Sequence, residues 1–127
     1  MTQIKIAVQG QRAALLSPIE LIAGTVGQKC KFYFDDDWKQ MSKTITYRVG
    51  STIIASESFS GDEVVIPPNV FLNSGLPVEI GLTARDNGNT TTVPTAWCLL
   101  GYVMPSAFGN VVPTPGTQII YDGGVIT

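Results

Sequence analysis

The chain has 127 residues, 44% of them hydrophobic and 14% charged, with a formal net charge of −2 and no histidine. That length accommodates one domain around one core, and the apolar share excludes intrinsic disorder, which needs low hydrophobicity and high net charge. No basic surplus exists to neutralise phosphates, so nucleic-acid binding is not expected, and the commonest general base and metal ligand is missing altogether.

The chain reads as short strands separated by turn chemistry. Gln3 to Val8 alternates, with Ile4, Ile6 and Val8 on one face. Lys29 to Phe34 sets Cys30, Phe32 and Phe34 against Lys29, Lys31 and Tyr33, and Lys43 to Val49 sets Ile45, Tyr47 and Val49 against Thr44, Thr46 and Arg48. A period of two with one polar face predicts half-buried antiparallel strands. Between the first two, Ser17 to Ile22 is ambiguous: Ser17-Pro18-Ile19-Glu20 has the N-cap and first-turn proline of a helix, and a strand fits nearly as well.

Gly50-Ser51 predicts a hairpin turn into Thr52 to Phe59. Val64-Val65-Ile66 is a short strand that must stop at Pro67-Pro68, where ladder donors vanish. Asn69 to Ser74 predicts one helical turn with Val70, Phe71 and Leu72 packed inward and Gly75 closing it. Pro77 to Arg85 reads as a strand with Val78, Ile80 and Leu82 inward. Asp86-Asn87-Gly88-Asn89 predicts a tight hairpin, because Asn-Gly suits positive φ. Thr90 to Val93 begins the return. Thr95 to Met104 is apolar on both faces, which predicts a central strand covered on both sides.

These elements predict an all-β antiparallel sandwich of about seven to nine strands over residues 1–104. From Pro105 to Thr127, prolines and glycines interrupt every element, so a C-terminal arm is expected. Within and beside it, Leu99, Tyr102, Phe108, Ile119, Ile120 and Tyr121 are candidate apolar contacts to a neighbouring subunit.

Chemistry-bearing clusters are few. Asp35-Asp36-Asp37 is the only dense carboxylate run. A calcium loop would need other spacing, a glycine and a distal glutamate, so a turn is expected in which one aspartate caps the segment from Trp38 to Met41. The hydroxyl side chains lack a base to activate them, Glu57, Glu63 and Glu79 read as exposed strand positions, and no glycine loop opens a helix to cradle phosphate. No enzyme activity and no cofactor or metal are expected. Trp97 is expected in the core. Core packing is the first expectation for Trp38 too, but of the two tryptophans it is the better placed, beside charges, for a sugar platform in a groove with Asp36, Asp37 or Asn73; a module recognising cell-surface glycan is therefore the alternative function, and a calcium-dependent adhesion domain a weaker third.

Cys30 and Cys98, with Trp38 between them, are similar in order to the cysteines and tryptophan of immunoglobulin domains. Here Ala96 stands where that pattern has a tyrosine, and Trp38 follows Cys30 too closely. Two buried free thiols are the expectation. No stretch approaches the roughly 18–20 apolar residues of a membrane span. Met1 to Ile6 has neither the basic nor the apolar region of a secretory leader, so synthesis in a cytoplasm is expected.

The order of motifs carries a resemblance. Gly27 is followed by Cys30-Lys31-Phe32-Tyr33-Phe34-Asp35 and Asp37-Trp38, then by Lys43-Thr44-Ile45-Thr46-Tyr47-Arg48. Val64-Val65-Ile66-Pro67, Val70 to Leu72, Gly75 to Ile80, an Asn-Gly hairpin, Val93-Pro94-Thr95-Ala96-Trp97 and Leu100-Gly101-Tyr102-Val103 complete the series. From about Gly24 to Ala107 this resembles structural proteins of phages and prophages of Firmicutes. It is similar to the N-terminal β-sandwich of tail-fibre and upper-baseplate proteins. Such proteins continue into long extensions that carry the receptor-binding end, so attachment is expected of this chain rather than direct host recognition. The resemblance implies a virion component that forms homo-oligomers, a trimer being favoured, and that meets other tail or baseplate proteins.

Overall fold

Alternation in the sequence becomes burial in the structure, a computed structural model that describes residues 2–88 and 90–106. Strand β1 (Ile4–Gln9) turns Ile4, Ile6 and Val8 inward, and β4 (Lys29–Phe34) does the same with Cys30 and Phe32. The two strands pair side by side, Ile4 with Cys30, Ile6 with Phe32 and Val8 with Phe34, so one apolar face runs across both. Their pairing is parallel, against the antiparallel expectation. A period of two reports that one face is covered; it carries no information on strand direction.

A strand absent from the sequence reading, β2 (Arg12–Leu15), folds back on β1 through the two-residue turn Gly10-Gln11, where Gly10 has φ of 57°. The segment after it yields no helix: only Leu21–Ile22, β3, is regular, and it pairs parallel to the last strand. Asp35 caps the short helix α1 (Asp36–Lys39), its carboxylate accepting from the Trp38 and Gly10 amides at 3.2 and 2.7 Å. One aspartate of the acidic run thus caps a turn, as expected, although the capped segment is Asp36–Lys39 rather than Trp38 to Met41.

Strand β5 (Ser42–Val49) and β6 (Thr52–Phe59) form the expected hairpin. The short β7 (Glu63–Val65) ends before a 3-10 turn, Pro68–Phe71, that buries Val70 and Phe71. Leu72 lies beyond that turn and is exposed, which corrects its inward assignment. Strand β8 (Pro77–Arg85) buries Val78, Ile80, Leu82 and Ala84 in strict alternation. It returns to β9 (Thr92–Pro94) through residues 86–91 rather than a tight Asn-Gly turn, and Gly88 does not take the left-handed conformation. The Asp86 carboxylate organises that loop, accepting from the Thr90 hydroxyl and from the Thr90 and Thr91 amides, and these bonds hold its pKa below the ordinary value.

The last strand, β10 (Cys98–Met104), completes ten strands among the described residues. One sheet runs β2-β1-β4-β7; the other runs β3-β10-β8-β5-β6, with β9 beside β8. Inward side chains of both sheets share one core, in which Trp38, Tyr47, Phe32 and Phe71 are the largest members. The all-β sandwich is as expected, with more strands than the seven to nine anticipated. Cys30 and Cys98 are both buried and unpaired. Of the expected arm, only Pro105 and Ser106 fall within the described residues.

One core member is poorly served. The Tyr47 hydroxyl is buried and has no hydrogen-bond partner among the described residues. An unsatisfied buried hydroxyl costs more than it returns, so Tyr47→Phe is expected to raise unfolding stability by about 1 kcal/mol, measurable as a higher midpoint in urea with an unchanged slope.

Candidate interaction face

The outer face of the larger sheet is divided along its width. Toward β6 it is paved with hydroxyls, Thr44, Thr46, Ser56, Ser58 and Thr83, and the Thr46 and Ser56 hydroxyls bond across the strands at 3.1 Å. Toward β10 it is apolar. Leu99 is 48% exposed and Tyr102 60%, with Met104 beyond them; at the opposite edge, Ile53 on β6 is a separate exposed apolar side chain.

A β-bulge makes that apolar face. Leu99 is opposite Glu79, but the next partners are Gly101 with Val78 and Tyr102 with Pro77, so Leu100 is the extra residue. Without the bulge, Leu99 and Tyr102, three positions apart, would point to opposite faces. With it, both face outward, while Cys98, Leu100 and Val103 enter the core. Gly101 takes φ of 146° at this irregularity, a conformation that L side chains rarely adopt. The expectation of a strand covered on both faces is therefore wrong: β10 has neighbours at both edges, but only one of its faces is buried.

Trp97 sits at the border of the two halves and is not in the core as expected, being 38% exposed. Gly81, in the middle of β8, makes room for its ring: a Cβ there would stand 3.2 Å from the indole. The Arg48 guanidinium stacks on the ring at 4.1 Å from its centroid and pairs with Glu79 at 2.7 Å. Such stacking contributes about 0.5–1 kcal/mol at an exposed site and holds both side chains in place. The loop before Trp97 is pinned by Thr95, whose amide donates to the Leu82 carbonyl while its hydroxyl accepts from the Leu82 amide. By register, Ile53, Arg48, Glu79 and Leu99 form one row across four strands. An ion pair is thus flanked on both sides by exposed apolar groups.

Of the six residues proposed for subunit contacts, Leu99 and Tyr102 lie on this face; Phe108, Ile119, Ile120 and Tyr121 lie outside the described residues. The glycan groove is not formed. Trp38 is 1% exposed, its Nε1 donates to the Gly10 carbonyl at 2.6 Å, and its ring stacks on Phe34. Asp36, Asp37 and Asn73 are exposed, without the aromatic platform that would have gathered them. Trp38, flanked by Asp37 and Lys39, was open to either reading in the sequence; beyond the Asp35 cap it lies inward. Arg48 was expected on the polar face of its strand, but its stacking on Trp97 was not, nor was the exposure of Trp97 and Ile53. The available signal was Gly81, since a glycine inside a strand often marks close approach of another group.

Among the described residues, no three His, Cys, Asp or Glu side chains gather as a metal site, and no helix is long and apolar enough to cross a membrane. Comparison with protein-family models, with curated proteins and with solved structures finds no match for this chain.

Proposed function

We propose that the chain is a non-enzymatic structural protein acting through subunit–subunit contacts, in the tail-fibre or baseplate class of phage and prophage virions. The observation that carries the assembly reading is the uncovered apolar face of β10. A monomer gains nothing from holding Leu99, Tyr102 and Met104 in water, whereas an assembled copy buries them. Aromatic residues, methionine and arginine are also the types enriched where proteins meet. Assignment to a virion rests on the order of motifs between Gly24 and Ala107.

The occupant proposed for this face is a second copy of the chain, with other tail or baseplate proteins as further partners. Sedimentation across a concentration series tests it. Wild-type protein is expected to self-associate, and Leu99→Glu with Tyr102→Glu is expected to weaken association by about 2 kcal/mol or more, roughly thirtyfold. Both positions are exposed, so circular dichroism should be unchanged. A wild-type monomer at every concentration, or association indifferent to the two charges, contradicts the reading.

A further inference from the structure

We propose that the clefts meeting at Lys43, between the edge of β4, helix α1 and the β6–β7 turn, form a binding site for an anionic oxygen group, a carboxylate or a phosphate. The site is separate from the apolar face of β10 and does not depend on the assembly reading.

Lys43 carries the inference. It lies on the inward side of β5 and is 6% exposed, yet it lines both clefts. Among the described residues no carboxylate lies within ion-pair distance of its ammonium. Its recorded contacts are the Met41 carbonyl, at 3.2 Å from Nζ, and the Phe34 ring, at 4.9 Å from the centroid. An ammonium has three donors, and a buried charge without a counter-charge is costly. Burial accordingly holds the Lys43 pKa below the ordinary lysine value, with the more distant Asp62 acting the other way.

The surroundings supply the rest of an anion site. One cleft, of 610 Å³, is bounded by Lys31, Phe34, Lys39, Lys43 and Asp62; the adjoining one, of 1010 Å³, adds Arg85 and the hydroxyls of β5 and β6. Four of the chain's eight Lys and Arg side chains therefore border these clefts, in a protein whose net charge is −2. Among the described residues Asp62 is the only carboxylate bordering them, and it is already paired with Lys31 at 3.4 Å. Lys39 pairs with Asp36, whose side chain is almost fully in solvent, where screening leaves the lysine largely available. An arriving oxyanion would supply the counter-charge that Lys43 lacks, with Lys39 beside it and serine and threonine hydroxyls as further donors.

The test is a titration of the full chain with inorganic phosphate and, separately, with acetate, at ionic strength held constant with sodium chloride and followed by amide chemical shifts. Saturable shifts at Lys39, Lys43 and Gly61 are expected, with a dissociation constant on the order of millimolar for so small a probe. In Lys43→Met, which keeps the alkyl stem in its pocket, those shifts should be lost. Saturation by phosphate alone identifies a phosphoryl ligand, and saturation by both identifies any oxyanion. The proposal is overturned if neither probe saturates on the wild type, a result that needs no variant, or if a folded Lys43→Met responds as the wild type does.

Discussion

Replacing Trp38 by alanine is expected to cost about 3–5 kcal/mol of unfolding stability, as large-to-small changes of buried aromatics do. That is a large fraction of the 5–15 kcal/mol typical of a single domain. Two interactions are lost together. The indole stacks on Phe34 at 5.7 Å with the rings nearly parallel, and Phe34 in turn packs on Phe32 and Phe59, so the ring anchors one end of an aromatic row across both sheets. Its Nε1–H also satisfies the Gly10 carbonyl at the tip of the β1–β2 hairpin, 28 residues away. Trp38→Phe should keep most of the stacking and lose the bond, at about 1–3 kcal/mol. Urea denaturation measures both, and faster amide exchange in Arg12–Leu15 would locate the damage at the hairpin. A surface sugar platform would behave differently: its removal would leave stability within about 0.5 kcal/mol of wild type.

Stability is expected to fall steeply above pH 9. Burial pushes the Cys30 thiol from 9.0 up to about 12, with Cys98 adding a smaller upward push. Burial likewise raises Cys98 and the Tyr47 hydroxyl. The sign follows from linkage: the folded protein keeps these protons at pH values where the unfolded chain has released them, so raising the pH favours unfolding. Their stabilising contribution is complete below pH 9 and is lost as the pH climbs through the folded-state values. For Cys30 alone, three pH units at 1.36 kcal/mol each correspond to roughly 4 kcal/mol lost by pH 12. Melting temperatures measured from pH 8 to pH 11 should therefore descend, and Cys30→Val should descend less. A wild-type curve as flat as that of the variant would mean that the thiol ionises in the folded state. Under native conditions both thiols should also resist a thiol reagent until denaturant is added, because reaction requires an accessible thiolate.

These expectations differ in where they were legible. Burial of Phe32, Tyr47 and Ile80 can be read from alternation alone, because a strand with one polar face has only one way to place its apolar residues. The parallel pairing of β1 with β4 cannot, since the same alternation serves either direction. Strand β2 is a short Arg-Ala-Ala-Leu run of low β-propensity, made a strand by the Gly10-Gln11 turn and by pairing with β1. The Asp35 cap was legible as a residue type at a helix start, whereas its second bond, to Gly10, depends on a contact 25 residues away.

The candidate sites show the same division. Leu99 and Tyr102 were recognisable as apolar groups in need of cover, yet β10 is apolar at nearly every position, and composition could not tell which face the second sheet would cover. The bulge at Leu100 decided it, by bringing Leu99 and Tyr102 to one side. Lys43 was legible only as a charge in the inward register of its strand, on the same side as Ile45 and Tyr47; the packing of Phe34 above it and the absence of a carboxylate within ion-pair distance among the described residues came from the tertiary structure. The sequence by itself determined the all-β class, most strand positions and the inward faces of the alternating strands β1, β4, β5 and β8, because these follow from local periodicity and turn chemistry. Strand direction, the inward turn of Trp38, the exposure of Trp97 and the uncovered face of β10 were decided by the tertiary structure, because each depends on residues far apart in the chain.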